Sequence, residues 1–92
     1  MLTKSLAKEL SKYNIRINSV NPGIVDTGFQ VNNKLLNTEE YLDFLNKMKN
    51  KYPLGIGKTT DISNLVMFLA SKEAKWITGC NYIIDGGFSS SN

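Results

Sequence analysis

The chain has 92 residues, 41% apolar and 21% charged, with a net charge of +3, one cysteine and no histidine. That excludes a disulfide framework within the chain, zinc sites built from Cys and His, and any catalytic triad that needs an imidazole. The length allows one domain or part of one, and a chain this size buries only about 60–65% of its unfolded surface.

The positive balance comes from ten lysines and Arg16 against eight acids, spread along the chain without a run of like charge. Such spacing reads as solvated helix faces, so no nucleic-acid partner is expected. No apolar run approaches the roughly 20 residues of a membrane helix, and MLTKSLAKEL lacks the apolar stretch of a signal peptide, so no membrane partner is expected either. The cysteine usage suits a reducing compartment, and a cytoplasmic location is expected. Cys80 reads as a small buried apolar residue rather than a nucleophile, because no base partner can be named for it.

Residues 1–13 read as a helix, with Leu2, Leu6, Leu10 and Tyr13 on one stripe and Lys4, Lys8 and Lys12 on another. The pattern is already complete at Met1 with no capping residue before it, which suggests a start in mid-helix. Asn14 is a left-handed stop. Residues 15–20, IRINSV, are β-branched and predict a strand that the NPG of 21–23 ends, since Pro22 has no N–H. Residues 21–37 read as a loop. Asn37 or Thr38 caps a helix over 38–51, with Glu39 and Glu40 in its first turn and Lys47, Lys49 and Lys51 near its end, as the helix dipole favours. Its apolar stripe is Tyr41, Leu45, Met48 and Tyr52. A further helix over 60–71, capped by Thr60, carries Ile62, Leu65, Val66 and Leu69 toward a core. Met67, Phe68 and Ala70 make it apolar on most sides, which predicts cover on both faces. WITG at 76–79 is a turn, residues 80–84 are a last strand, and DGG at 85–87 ends it. Strands separated by helices imply parallel pairing and an α/β sheet. Two strands cannot make a doubly wound sheet alone, so the chain reads as part of something larger.

Residues 55–60, GIGKTT, resemble the end of a phosphate-binding loop. The full pattern G-x-x-x-x-G-K-[ST] needs a glycine where Tyr52 stands, a buried strand where a lysine-rich helix is predicted, and no proline where Pro53 lies. The phosphate-loop reading therefore fails.

Taken together, IRINSVNPGIVDT, PLG with a glycine shortly after, DISNLVMFLAS, WITG and YIIDGGF closely resemble the C-terminal part of the short-chain dehydrogenase/reductase family, in order and spacing along nearly the whole chain. Members commonly carry P-L-G-R-x-G-x-P-E-[ED] where this chain has Pro53-Leu54-Gly55 and then Ile56-Gly57-Lys58-Thr59-Thr60-Asp61. The arginine and the Pro-Glu pair are missing, which puts any contact made by that arginine in doubt.

The resemblance implies the C-terminal portion of a Rossmann-like doubly wound parallel sheet, without its N-terminal dinucleotide-binding half. It also implies hydride transfer between NAD or NADP and a small-molecule alcohol or carbonyl substrate. Cofactor contact would fall on Pro22, Gly23, Ile24, Val25 and Thr27: Gly23 would leave room for the nicotinamide ring, backbone groups of Ile24 and Val25 would pair with its carboxamide, and the Thr27 hydroxyl would donate or accept. Residues 28–52 correspond to a variable substrate loop, in which Phe29, Val31, Leu35 and Leu36 either line an apolar pocket or pack the loop. The DGG strand and first helix are similar to regions of subunit contact, so a homo-oligomer is implied, although Leu2, Leu6 and Leu10 can equally pack on the chain's own sheet. The family's catalytic tyrosine is followed four residues later by a lysine. Here Tyr13, Tyr41, Tyr52 and Tyr82 are followed at that spacing by Ile17, Leu45, Ile56 and Gly86. No catalytic and no metal-binding residue is therefore assigned. The resemblance points to an oxidoreductase as a complete protein and to a chain that is inactive alone. The alternative is a non-catalytic fragment or pseudo-enzyme that acts as an interaction partner for a full-length relative.

Overall fold

The computed structural model describes residues 1–28 and 37–90. Helix α1 spans Leu2–Leu10 and runs into a 3-10 turn over Ser11–Tyr13. Asn14 closes it in the left-handed conformation at φ 60° and ψ 33°, as its small polar side chain permits. Of the predicted leucine stripe, Leu6 and Leu10 are half-buried while Leu2 and Tyr13 are exposed. The buried residue is Ala7, whose Cβ lies where a Cβ on Gly79 would sit 3.3 Å away. Small residues thus let α1 approach the turn before the last strand.

Strand β1 spans Ser19–Pro22 and pairs in parallel with β4, Asn81–Ile84, with Ser19 opposite Asn81 and Pro22 opposite Ile84. It starts later than residue 15 because side chains take over the ladder upstream. Asn18 donates to the Ile77 carbonyl and accepts from the Cys80 N–H, while the Ile17 N–H goes to the Thr78 hydroxyl. Arg16 adds a guanidinium bond to the Ile77 carbonyl at 3.3 Å. The strand also runs through Asn21 and Pro22 instead of ending before them. In a parallel ladder one residue of each opposed pair uses both its backbone groups across the seam. Ile84 is that residue, since its carbonyl accepts from the Gly23 N–H at 2.8 Å. Pro22 faces the other way, so its missing N–H costs no bond to β4.

The loop expected over 21–37 contains a short strand, β2 (Val25–Asp26), paired in parallel with β3 (Gly57–Lys58). Helix α2 spans Thr38–Lys49. Asn37 caps it in a reciprocal box: its side chain accepts from the Glu40 N–H at 2.8 Å and its own N–H donates to the Glu40 carboxylate at 3.2 Å. Tyr41 is buried and Leu45, Met48 and Tyr52 are half-buried, so the predicted stripe faces inward.

Helix α3 spans Thr59–Ala70. Thr60 lies inside it rather than capping it; the Asp61 carboxylate accepts from the Lys58 N–H at 2.7 Å and serves the free donors of the first turn. Only one face of α3 is covered. Leu69 is buried, whereas Val66, Met67 and Phe68 are exposed, contrary to the cover expected on both sides, because no described element packs against that face. Cys80 is half-exposed rather than buried, its thiol 3.7 Å from the Thr78 carbonyl, because it sits at the mouth of β4 rather than within the sheet.

The buried apolar set among the described residues is Ala7, Tyr41, Leu69 and Ala74. The accessible surface is 7088 Å² for 10.3 kDa. A compact monomer of that mass exposes about 5,400 Å², so much apolar surface that a finished core would hide stays open.

Candidate functional site

The carboxyl ends of β1 and β4 point the same way, which is where open parallel sheets bind ligands. Pro22, Gly23, Ile24 and Val25 form one continuous strap from β1 into β2. A Cβ on Gly23 would lie 2.9 Å from both the Asp85 Cβ and the Tyr52 ring, a distance side chains do not tolerate. The glycine is thus required by the chain's own packing, since the strap lies directly on the DGG corner and on the end of the segment after α2.

That corner is tightly stitched. The Leu54 N–H donates to the Gly86 carbonyl at 2.9 Å, and Tyr52 stacks on Phe88 with ring centroids 4.8 Å apart. The Asp85 carboxylate accepts from the N–H groups of Gly87 and Ser89, each at 3.0 Å. Hydrogen bonding, from Ser89 above all, holds the Asp85 carboxyl below the usual carboxylate range.

GIGKTT has its role here. It enters from a turn after α2, not from a buried strand, and its Gly57 N–H donates to the Ile24 carbonyl at 3.1 Å. Gly57 therefore spends both backbone groups on the strap, and the opposed Val25 turns its own N–H and C=O away from β3. The Ile24 carbonyl, by contrast, is already engaged. A cavity of about 370 Å³ opens beside this seam, walled by Ile24, Val25, Ile56, Ile62 and Ile84, with Asp61 and Asp85 at its rim.

Beyond β2 the strap meets α2. The Tyr41 hydroxyl donates to the Asp26 carboxylate at 2.5 Å and accepts from the Gly28 N–H at 3.2 Å. The bond to Asp26 and burial of the ring raise the phenol above its ordinary pKa. Thr27 is exposed, with its backbone also facing the Tyr41 hydroxyl. Sequence reasoning placed Tyr41 in an apolar stripe and missed this hook. The available signal was that a buried tyrosine must find a partner for its hydroxyl. The candidate pocket residues Phe29, Val31, Leu35 and Leu36 lie outside the described residues.

The arrangement leaves the Val25 N–H and C=O on the side of the strap away from β3, at the carboxyl end of the β1–β4 pair. Known proteins resemble the chain along nearly its whole length. Residues 1–89 match a family model described as enoyl-(acyl carrier protein) reductase. The chain is 40% identical over 92 residues to trans-4-hydroxycyclohexanecarboxylate dehydrogenase from Sinomonas cyclohexanicum, covering 99% of this chain and 31% of that protein. A short chain dehydrogenase family protein from Francisella tularensis subsp. tularensis SCHU S4 superposes with a TM-score of 0.76 at 36% identity, over 98% of this chain and 39% of that one. A 4-hydroxyisoleucine dehydrogenase complexed with NADH gives 0.76 at 33% identity, over 99% of this chain and 34% of that one. The chain spans about a third of the length of the relatives it matches, consistent with a portion of a Rossmann-like doubly wound sheet. The parallel β1–β4 pair, the strap at its carboxyl end and the match along nearly every residue agree: the chain belongs to the short-chain dehydrogenase/reductase family.

Proposed function

We propose that these residues are the C-terminal third of an NAD(P)-dependent oxidoreductase that passes a hydride between the nicotinamide and an alcohol or carbonyl carbon. The observation that carries the reading is the strap at residues 22–27, at the carboxyl end of a parallel pair, with the Val25 backbone groups directed away from the seam that holds it. In this reading Val25 pairs with the carboxamide, and the Thr27 hydroxyl donates or accepts beside it. Pro22 and Gly23 seat the strap, Gly23 by its contact with Tyr52 and Asp85 rather than by clearing space for the ring. Ile24 walls the adjoining cavity. The nicotinamide cofactor supplies the hydride chemistry when bound; the strap fixes which face of the ring meets the substrate, an orientation effect.

Because the sequence lacks the tyrosine and lysine at the family's spacing, these residues alone are inactive. Association with a full-length relative as a non-catalytic partner is the second reading, favoured by the exposed Met67, Phe68 and Trp76. Homo-oligomer formation through the same apolar surface, and residence in a reducing cytoplasm that keeps Cys80 as a thiol, belong to the first.

A graft separates the readings. Residues 1–92 replace the matching third of the Sinomonas relative. The first reading expects a folded chimera that binds NAD(P)H and oxidises an alcohol, and whose Thr27→Val variant shows a KM for cofactor raised about tenfold, roughly 1.4 kcal/mol, with little change in Tm. A folded chimera that binds no nicotinamide cofactor refutes it.

A further inference from the structure

We propose that Tyr41 is a positioning residue for the cofactor strap, fixing residues 26–28 so that the Val25 backbone and the Thr27 hydroxyl stand at a defined angle to the nicotinamide. The inference deepens the functional reading above and rests on it.

The backbone pairing between β2 and β3 ends at Asp26 and Lys58. Thr27, whose hydroxyl the functional reading places beside the carboxamide, is the next residue after that pair. The Tyr41 hydroxyl straddles Thr27, donating to the Asp26 carboxylate on one side and accepting from the Gly28 N–H on the other. A phenol has one proton to donate, and here it goes to a carboxylate, the stronger kind of hydrogen bond. The rotor is thereby fixed, and its lone pairs are aimed at the strap. Gly28 turns at φ 71°, a left-handed conformation that suits glycine and aims its N–H toward the ring hydroxyl.

The base of the hook is equally rigid. Tyr41 is only 6% exposed, on the first turn of α2, immediately after the reciprocal box of Asn37 and Glu40. A phenylalanine would fill the same volume. The hydroxyl adds nothing to the apolar contacts, and burying it without partners would be unfavourable. The bonds it makes all run to residues 26–28, so its contribution is to the geometry of that segment rather than to the core.

The test uses the natural protein, with Tyr41→Phe and Asp26→Ala compared with the parent. Asp26→Ala keeps the buried ring and removes the acceptor, so it carries the test should Tyr41→Phe fold poorly. Three quantities are read: NADH or NADPH affinity, the amide signals of Val25, Thr27 and Gly28, and Tm. The expected result is a cofactor affinity weakened about tenfold in both variants, faster hydrogen exchange at the Gly28 amide, and a KM for cofactor that rises while kcat holds. Parent signals at Val25 and Thr27 that shift with cofactor, together with unchanged affinity in both folded variants, overturn the role of Tyr41 and leave the cofactor reading standing. Parent signals at Val25 and Thr27 that ignore saturating cofactor overturn the cofactor reading, and this proposal with it.

Discussion

At the carboxyl ends of β1 and β4, Gly23, Tyr52, Leu54, Asp85 and Gly86 meet at hydrogen-bond or van der Waals distance, and a single added methyl group has nowhere to go. Along the outer face of α3, Val66, Met67 and Phe68 stand in the open, and Trp76 beyond it is 97% exposed. Both regions come from the same short chain. The corner is closed by contacts the chain makes with itself, mostly through backbone and small residues. The helix face has an apolar surface that no described element covers. The geometry at the site is therefore closed within these residues, whereas the outer face of α3 meets no partner among the described residues.

The largest effect tests the helix. Leu69→Ala removes a buried side chain and should cost about 3 kcal/mol, read as a lowered urea midpoint in the natural protein. Met67→Ala, on the exposed face two residues earlier, should cost less than about 0.5 kcal/mol if that face stays open. Equal losses at the two positions would show that the outer face is covered in the working protein, and would favour the oligomer or the larger sheet over a freely exposed surface.

The next effect tests the corner. Gly23→Ala places a Cβ about as close to the Asp85 backbone as to the Tyr52 ring, the first of which cannot swing aside. Overpacking of this kind costs about 1–3 kcal/mol. The corner predicts a loss of Tm together with weaker NAD(P)H binding, because the strap is displaced at its seat. A lost Tm with unchanged cofactor affinity would separate the corner from the site.

How much of this was written in the sequence depends on which groups hold each element. Helices α1 and α2 were legible because their apolar residues repeat at the helical period and their ends carry Asn14, which takes the left-handed conformation, and Asn37 and Glu40, whose side chains act on neighbouring backbone. Strand β4 was legible from its β-branched run and the glycines after it. The start of β1 was not, because Asn18 pairs with Ile77 and Cys80 through its side chain, a long-range exchange that no local pattern announces. The β2–β3 seam was hidden for a similar reason: each strand has two residues, too few for any periodicity, and the pairing joins positions far apart in the chain. Of the candidate site, the strap at 22–27 was located by motif resemblance, while the Tyr41 hook became visible only when the hydroxyl was seen to reach Asp26 and Gly28.

The smallest effect is the pH dependence of the corner. Hydrogen bonds from Ser89 first, and then from Gly87 and Phe88, favour the Asp85 carboxylate and lower its folded-state pKa. A lowered pKa means that the folded state holds the ionised form better than the unfolded chain does, whose aspartates titrate near about 3.9. The resulting stability is fully present above that value and is lost as pH falls through the folded pKa. Asp85→Asn keeps an acceptor oxygen and removes the charge. Its Tm should lie below the parent's at pH 7, and the two should converge as the pH falls below the ordinary aspartate range. A gap of constant size across that range would mean that the corner depends on the shape of the Asp85 side chain, not on its ionisation. The same titration bears on the strap, since the Asp85 Cβ is what Gly23 rests against: a corner that loosens in acid releases the strap at its seat.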